Sequence, residues 1–588
     1  MTLVVGFSWP IGHDNSVAAI LDGKLVFAAE EERFTRHKHS VGELPVHSLV
    51  KLFQHLKKLG AKPSDVDAFA LNWTPRLFSF SYRNSLYVKG LASLEPEIEA
   101  RGGRSDALLH WLSGADYVYL SRYFLRRAYS LAGASLPADV KIVPVEHHLA
   151  HASSAYYFSG MSSALALTVD GSGERDSTVV WRAKGGEFEK VLAMPTWNSS
   201  IGLFYEAMSS RIGYDALEGP GKLMGLAPYG RESKIYARVR SLVKINEDGG
   251  GDSPYTFVHP PIRSGPRTLP NQYVSTATQT LEKVSWDTRG EVSREAADIA
   301  WATQKVTEEA MLATARWAKR NVSESRLLLA GGVALNAKSN MELFYSGLFE
   351  DIFVFPDAND AGGPIGAAAY VYAHTLSGKM AHGRLTNVYL GPEYSEEEVA
   401  STVRDSKWSA ERLGDSMDEV ARLVAKGKVV TVFKGRSELG PRALGDRSIV
   451  ADPTKKETWR LVNAIKGREW WRPLAPSLLD AQRYFVQARP HEFMVMMYRL
   501  LEGASERVPA VAHVDGTARP QTVDGKDNAA WYDLIRSFGE LSGEPLVVNT
   551  SFNLAGEPLV ETPREALRSF AVGGFDALYL DGYLIMKR

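Results

Sequence analysis

Thr2-Leu3-Val4-Val5-Gly6-Phe7, Val17-Ala18-Ala19-Ile20-Leu21 and Lys24-Leu25-Val26-Phe27-Ala28 are three short apolar runs at the head of the chain. Asp22-Gly23 separates the second run from the third, and that tight-turn pair predicts an antiparallel hairpin. A turn at Trp9-Pro10 and the polar stretch Gly12-His13-Asp14-Asn15-Ser16 separate the first run from the second. The expected order is strand, polar loop, strand, tight turn, strand. A turn seldom needs both a histidine and an aspartate, so His13 and Asp14 read as a reactive pair at a strand end.

Two later stretches repeat the theme of a buried strand running into glycines. Ala164 to Val169 leads to Asp170-Gly171-Ser172-Gly173-Glu174, and Leu327 to Ala330 leads to Gly331-Gly332 and then Asn336. This succession is similar to the actin-like (ASKHA) ATPases, an α/β fold in which two hairpins face nucleotide phosphates. In that class the Gly-Gly turn lets a nucleotide lie against the backbone, at a helix start favourable to negative charge. The run from Glu30 to His39 reads, taken alone, as a solvated helix start with acids first and bases later. Residues 45–140 read as mostly helical, with an aromatic segment at Phe78–Tyr82. Glu218 to Gly230 reads as a glycine-rich loop or lid, and 245–290 as an irregular excursion.

Between these lies Glu146-His147-His148-Leu149-Ala150-His151-Ala152. His147 and His151 are four apart, so on a helix they share a face, one turn apart, and can hold one divalent metal. The preceding run, Lys141 to Val145, carries Pro144, which suits an edge strand or a strand end. Asp170 is a carboxylate at a strand end beside glycines, and Asp360, in Asn359-Asp360-Ala361-Gly362-Gly363, is another. Two histidines and two aspartates form a nitrogen/oxygen donor set suited to iron(II), the first choice, or to manganese or zinc.

Composition narrows the class. There are 588 residues, enough for at least two domains, with a formal net charge of −1 and no cysteine. Disulfides and thiolate chemistry are excluded, and near-neutrality argues against a nucleic-acid or membrane partner. The N-terminus lacks the basic region of a signal peptide, so a cytoplasmic enzyme is expected. The pattern changes near residue 375: we expect a first domain over 1–375, a linker over 376–394 and a second domain over 395–588. The second domain concentrates anion-binding residues. Gly435 to Ser448 contains Arg442, followed by Lys466, Arg468 and Arg472, and the strand Pro545 to Val548 runs into Asn549 and Ser551. Arginine forks of this kind bind carboxylate or phosphate oxygens in pairs.

At these motifs, in this order and over nearly the whole chain, the sequence resembles the O-carbamoyltransferases that decorate antibiotics and nodulation factors. The resemblance implies an actin-like first domain, similar to the tRNA threonylcarbamoyl-transferase proteins, and a YrdC-like α/β second domain. It implies that ATP and carbamoyl phosphate give a carbamoyl adenylate in the second domain, and that the first passes the carbamoyl group to a hydroxyl of a small-molecule acceptor, releasing AMP. Under it His147, His151, Asp170 and Asp360 bind the metal, and Lys38 meets the adenylate phosphate. Gly331, Gly332 and Asn336 line the adenosine pocket. His13 is the general base for the acceptor, oriented by Asp14. Arg442, Lys466, Arg472, Asn549 and Ser551 hold carbamoyl phosphate and the nucleotide phosphates. Lys222 fits the family loop without a role. Asp446 departs from the asparagine of many relatives and is expected to point away from the anions. A homodimer is the assembly considered. The competing readings are a tRNA threonylcarbamoyl-transferase-like enzyme and a non-catalytic nucleotide-binding protein of the actin-like class.

Overall fold

The computed structural model describes residues 1–8, 12–74, 117–260, 269–381 and 383–587. The expected turn at Trp9-Pro10 and the aromatic segment Phe78–Tyr82 lie outside the described residues. The three opening runs form strands β1 (Leu3–Phe7), β2 (Ser16–Leu21) and β3 (Lys24–Glu30). β2 pairs antiparallel with both of its neighbours. β4 (Ala68–Leu71) and β5 (Lys141–Pro144) extend the sheet in parallel, giving the order β3-β2-β1-β4-β5. Pro144 thus sits on an edge strand, as its missing N–H favours.

A second sheet repeats the first. β6 (Ser163–Val169), β7 (Asp176–Lys184) and β8 (Glu187–Pro195) are antiparallel, while β9 (Arg326–Ala330) and β10 (Asp351–Val354) run parallel to β6. The order β8-β7-β6-β9-β10 matches that of the first sheet, strand for strand. Two copies of one five-stranded unit, each opening on an antiparallel meander, make the actin-like fold.

Each copy sends a helix out of its fifth strand: α1 (His147–Tyr157) after β5, and α2 (Gly363–Tyr370) after β10. Glycines let these helices close in. A Cβ on Gly366 would stand 1.8 Å from the carbonyl oxygen of Ala150, and one on Gly6 would stand 1.9 Å from that of Pro364. The aromatic core of the first sheet gathers Phe7, Phe27, Phe53, Phe69 and Tyr129.

The chain divides into two units. The first comprises residues 1–220, 233–284 and 302–385, and the second 221–232, 285–301 and 386–588. The second unit holds an eight-stranded mixed sheet. At its middle β11 (Val430–Phe433) pairs antiparallel with β12 (Arg447–Ala451), which pairs antiparallel with β13 (Leu546–Ser551). Its core is built on Trp531, Leu534, Phe538 and Tyr579. Among the described residues no helix is long and apolar enough to cross a membrane.

Three sequence expectations are corrected. The mostly helical stretch contains β4, a four-residue strand next to β1 at the middle of the first sheet. The Glu218–Gly230 loop is largely a helix, Gly219–Leu226, because Gly and Pro are tolerated in a first turn. The head of the charged run is not solvated: Glu30, Glu31 and Arg33 are all buried, whereas His37 further along is exposed. Glu31 accepts the backbone N–H groups of His47 and Ser48 at 3.0 and 2.8 Å, capping the next helix, and Arg33 forks onto Glu30.

Candidate functional site

The duplicated fold brings equivalent positions together. His13 and Asp14 follow the first strand of the first copy, and Asp170 follows the first strand of the second. His147 and His151 open the helix after the fifth strand of the first copy, and Asp360 immediately precedes the corresponding helix of the second. His147, His151, Asp170 and Asp360 each offer one ligand atom, and these atoms all lie within 4.8 Å of one another. The Nε2 atoms of His147 and His151 are 3.1 Å apart, and Asp170 Oδ2 is 3.4 and 3.1 Å from them. Asp360 Oδ1 lies 3.6 and 3.7 Å from the same two nitrogens. Both imidazoles are fully buried. Burial would raise the Asp170 carboxyl, but hydrogen bonds and charge from the two imidazoles hold it well below the usual carboxylate range. Two imidazoles and two carboxylates converging on one buried point fit a divalent first-row cation. His148, between the two ligands, faces elsewhere: its Nδ1 meets Thr168 Oγ1 and its Nε2 the Asp176 carbonyl, both at 2.9 Å.

Asp14 is clamped between two histidines. Its Oδ2 is 3.0 Å from His13 Nδ1 and its Oδ1 2.7 Å from His39 Nδ1. Its own N–H donates to the His39 carbonyl, and both Asp14 and His39 have left-handed backbones, φ 53° and 65°. Burial works against a charged His13. The Asp14 hydrogen bond and charge, with Asp360 and Glu206 behind them, outweigh it and hold the imidazole above its ordinary range.

The nucleotide-side candidates are placed as follows. Gly331 has φ 90°, and a Cβ there would stand 2.3 Å from the Val169 carbonyl oxygen. The Gly332 N–H donates to Asp170 Oδ2 at 3.2 Å, which ties this turn to the four-residue cluster. Asn336 caps the helix Ala337–Tyr345 and exchanges amide hydrogen bonds with Gln304. Lys38 pairs with Glu218 at 2.8 Å.

In the second unit Arg442, Arg468 and Arg472 come together with a fourth, Arg519, which sequence reasoning missed. Burial, and then the charge of Arg472, hold Arg442 at about 10, and burial with the charges of Arg442, Arg472 and Arg468 holds Arg519 well below the ordinary guanidinium range. Nε of Arg442, Nη2 of Arg468 and Nε of Arg519 are buried without a hydrogen-bond partner. Cations that repel one another, with unspent N–H groups, describe an anion site. Lys466 donates to the Ser551 carbonyl and, at 2.7 Å, to Asn553 Oδ1. Asn549 Nδ2 donates to the Ala443 carbonyl and to Ser477 Oγ, while its Oδ1 is buried without a partner. Asp446 accepts from Asn528 at 2.7 Å; burial and then Glu438 raise its carboxyl well above the usual range, so it adds little negative charge. Lys222 belongs to the second unit, 3.5 Å from Glu469.

A family model described as the carbamoyltransferase N-terminus matches residues 4–369, and one described as the carbamoyltransferase C-terminus matches 421–587. Nodulation protein NolNO of Sinorhizobium fredii is 32% identical over 586 residues, 98% of this chain and 79% of that one. Nodulation protein NolO of Bradyrhizobium diazoefficiens is 36% identical over 457 residues, 76% of this chain and 79% of that one. The uncharacterized protein sll1178 of Synechocystis is 31% identical over 637 residues, 100% of this chain and 97% of that one. Among solved structures, full-length HypF in its phosphate- and nucleotide-bound form is 11% identical with a TM-score of 0.30, covering 64% of this chain and 56% of that one. A likeness of that size leaves the fold resting on the strand order.

Proposed function

Because the chain belongs to the carbamoyltransferase family and is a carbamoyltransferase, we propose that it is an ATP-dependent O-carbamoyltransferase acting on a hydroxyl of a small natural-product or sugar acceptor. Residues of the second unit activate the carbamoyl group: water releases phosphate from carbamoyl phosphate, and the carbamate oxygen so formed attacks the α-phosphorus of ATP, expelling pyrophosphate and giving a carbamoyl adenylate. Residues of the first unit transfer it to the acceptor, and AMP leaves. The observation that carries this reading is the half-buried arginine set, in which buried, unpartnered nitrogens of Arg442, Arg468 and Arg519 call for a ligand with several anionic oxygens.

Arg442, Arg468, Arg472 and Arg519 neutralise the phosphate charges of the two co-substrates and hold them in line, with Lys466, Asn549 and Ser551 at the reacting end. In the first unit His147, His151, Asp170 and Asp360 would hold a divalent metal, iron(II) foremost, which would supply Lewis-acid chemistry to the carbamoyl group and the phosphate. Gly331 and Gly332 admit the adenosine close to the backbone, with Asn336 beyond them. Lys38 leaves Glu218 to meet the adenylate phosphate. His13 takes the acceptor's hydroxyl proton and Asp14 fixes which ring nitrogen faces the acceptor. Asp14, Asp360 and Glu206 favour the protonated imidazole, so transfer is expected to quicken as pH rises.

The test is incubation of the protein with ATP, carbamoyl phosphate and a panel of hydroxylated acceptors, following AMP and a mass gain of one carbamoyl group. AMP release that depends on carbamoyl phosphate, with carbamoylation of at least one acceptor, is expected. Carbamoylation that proceeds without ATP would overturn the adenylate route.

A further inference from the structure

In metal sites a ligating imidazole is usually oriented by a hydrogen bond from its second nitrogen to a carboxylate, carbonyl or water. Among the described residues that device is missing here: Nδ1 of His147 and Nδ1 of His151 are both buried without a partner. Something else must fix the His147 ring. Its face is covered by Trp73, stacked with ring centroids 3.8 Å apart and planes 20° from parallel. Its backbone is held by Glu174. One carboxylate oxygen of Glu174 accepts the His147 N–H at 3.0 Å and the Thr74 N–H at 2.7 Å. The residue before α1, Glu146, makes no side-chain cap, so Glu174 serves as the cap from a distant part of the chain.

Glu174 is 5% exposed. It ends the same glycine turn that begins with Asp170, and that turn is seated on the helix: a Cβ on Gly173 would stand 2.7 Å from His148 Cδ2. One carboxylate therefore joins three segments: the turn bearing Asp170, the helix start bearing His147 and the extension of β4 bearing Trp73. We propose that Glu174 and Trp73 are the positioning residues of the four-ligand cluster, doing through a backbone cap and a stacked ring what a hydrogen bond to Nδ1 does elsewhere. The inference rests on the reading that the cluster holds a metal.

The test is calorimetric titration of Mn²⁺ into the full-length, metal-free protein, with far-UV circular dichroism as the check on folding. Wild type is expected to bind one Mn²⁺ at this cluster. Glu174→Ala removes the cap and is expected to weaken binding by about 10- to 100-fold. Glu174→Gln keeps an oxygen for both N–H groups and is expected to lose only about two- to fivefold, the worth of a charge at a helix N-terminus. Trp73→Leu keeps Glu174 but removes the stacked ring, and about a tenfold loss is expected. It carries the comparison alone should Glu174→Ala not fold. Wild-type affinity in either folded variant, Glu174→Ala or Trp73→Leu, overturns the inference while leaving the metal reading intact. No Mn²⁺ binding by wild type overturns both.

Discussion

The Nε2 atoms of His147 and His151 face each other at 3.1 Å, fully buried, with a carboxylate oxygen of Asp170 within 3.4 Å of both. Two imidazolium rings cannot share that distance, because like charges so close in a buried place repel strongly. A single divalent cation held by the two imidazoles and the two carboxylates would remove the conflict. Elemental analysis of the purified chain is expected to find one such ion per molecule. His151→Ala or Asp360→Asn should leave a small fraction of it. A saturating ion at about 100 times its dissociation constant adds about 2.7 kcal/mol to the unit that binds it, so a chelator should lower the melting temperature of wild type and hardly that of the variants.

His148 separates the two ligands in sequence and has a different duty. It spans Thr168 Oγ1 and the Asp176 carbonyl, and Trp181 Nε1 donates to the same threonine oxygen at 3.2 Å. His148→Ala should cost about 1–3 kcal/mol by leaving buried partners unmade. Metal content, measured on the same preparation, should stay at the wild-type level.

The His13–Asp14–His39 clamp has a pH signature. Both histidines are held above their ordinary value, His13 at about 10, because the Asp14 hydrogen bonds and charge outweigh a burial effect that acts the other way. A raised folded-state value stabilises fully below the unfolded value near 6.5, and the effect fades as pH rises through the folded value. Asp14 is held below the usual carboxylate range, since hydrogen bonds from the two histidines outweigh its burial, and it stays ionised throughout. The gap in melting temperature between wild type and Asp14→Asn should therefore be widest near pH 5–6, at about 2–4 °C, and close towards pH 10. The His13 ring is 43% exposed, so solvent keeps the gap modest. A gap that widens with pH would contradict the ion pair.

Arg519 is the residue whose loss should isolate activation from transfer. Pyrophosphate is expected to raise the melting temperature of wild type; Arg519→Ala is expected to abolish that rise and to reduce AMP formation by about 10²-fold. Arg519→Lys should restore little, because a point charge does not replace a fork. Metal binding in the first unit should be unaffected by either change.

Those expectations draw on features that were legible in the sequence to different degrees. Asp170 and Asp360 could be read because each stands at the end of an apolar run beside glycines, a local signal. The His147–His151 spacing is equally local. Arg519 is a lone arginine between Ala518 and Pro520, and only the tertiary fold carries it to Arg442, Arg468 and Arg472. The burial of Glu31 was hidden for the same reason, since its partners His47 and Ser48 lie 16 and 17 residues on. β4 was missed because four residues are too few to show alternation, and its partners β1 and β5 are far away in sequence. The repeated theme of a strand running into glycines was legible at Asp170-Gly171 and Gly331-Gly332, but the strand-for-strand match of the two sheet orders was not, because pairing order is set by long-range hydrogen bonding.

The division of the chain bears on how the protein can be dissected. The backbone passes between the two units five times, since stretches 221–232 and 285–301 leave the first for the second and return. No single incision can therefore part them. A gene truncated after residue 385 would still encode two orphaned pieces of the second unit, Lys222 among them, and a clone beginning at 386 would lack those pieces. Separate expression of the halves calls for grafting the two stretches onto the later fragment, and a protease nick between 376 and 394 should leave both products bound in one particle.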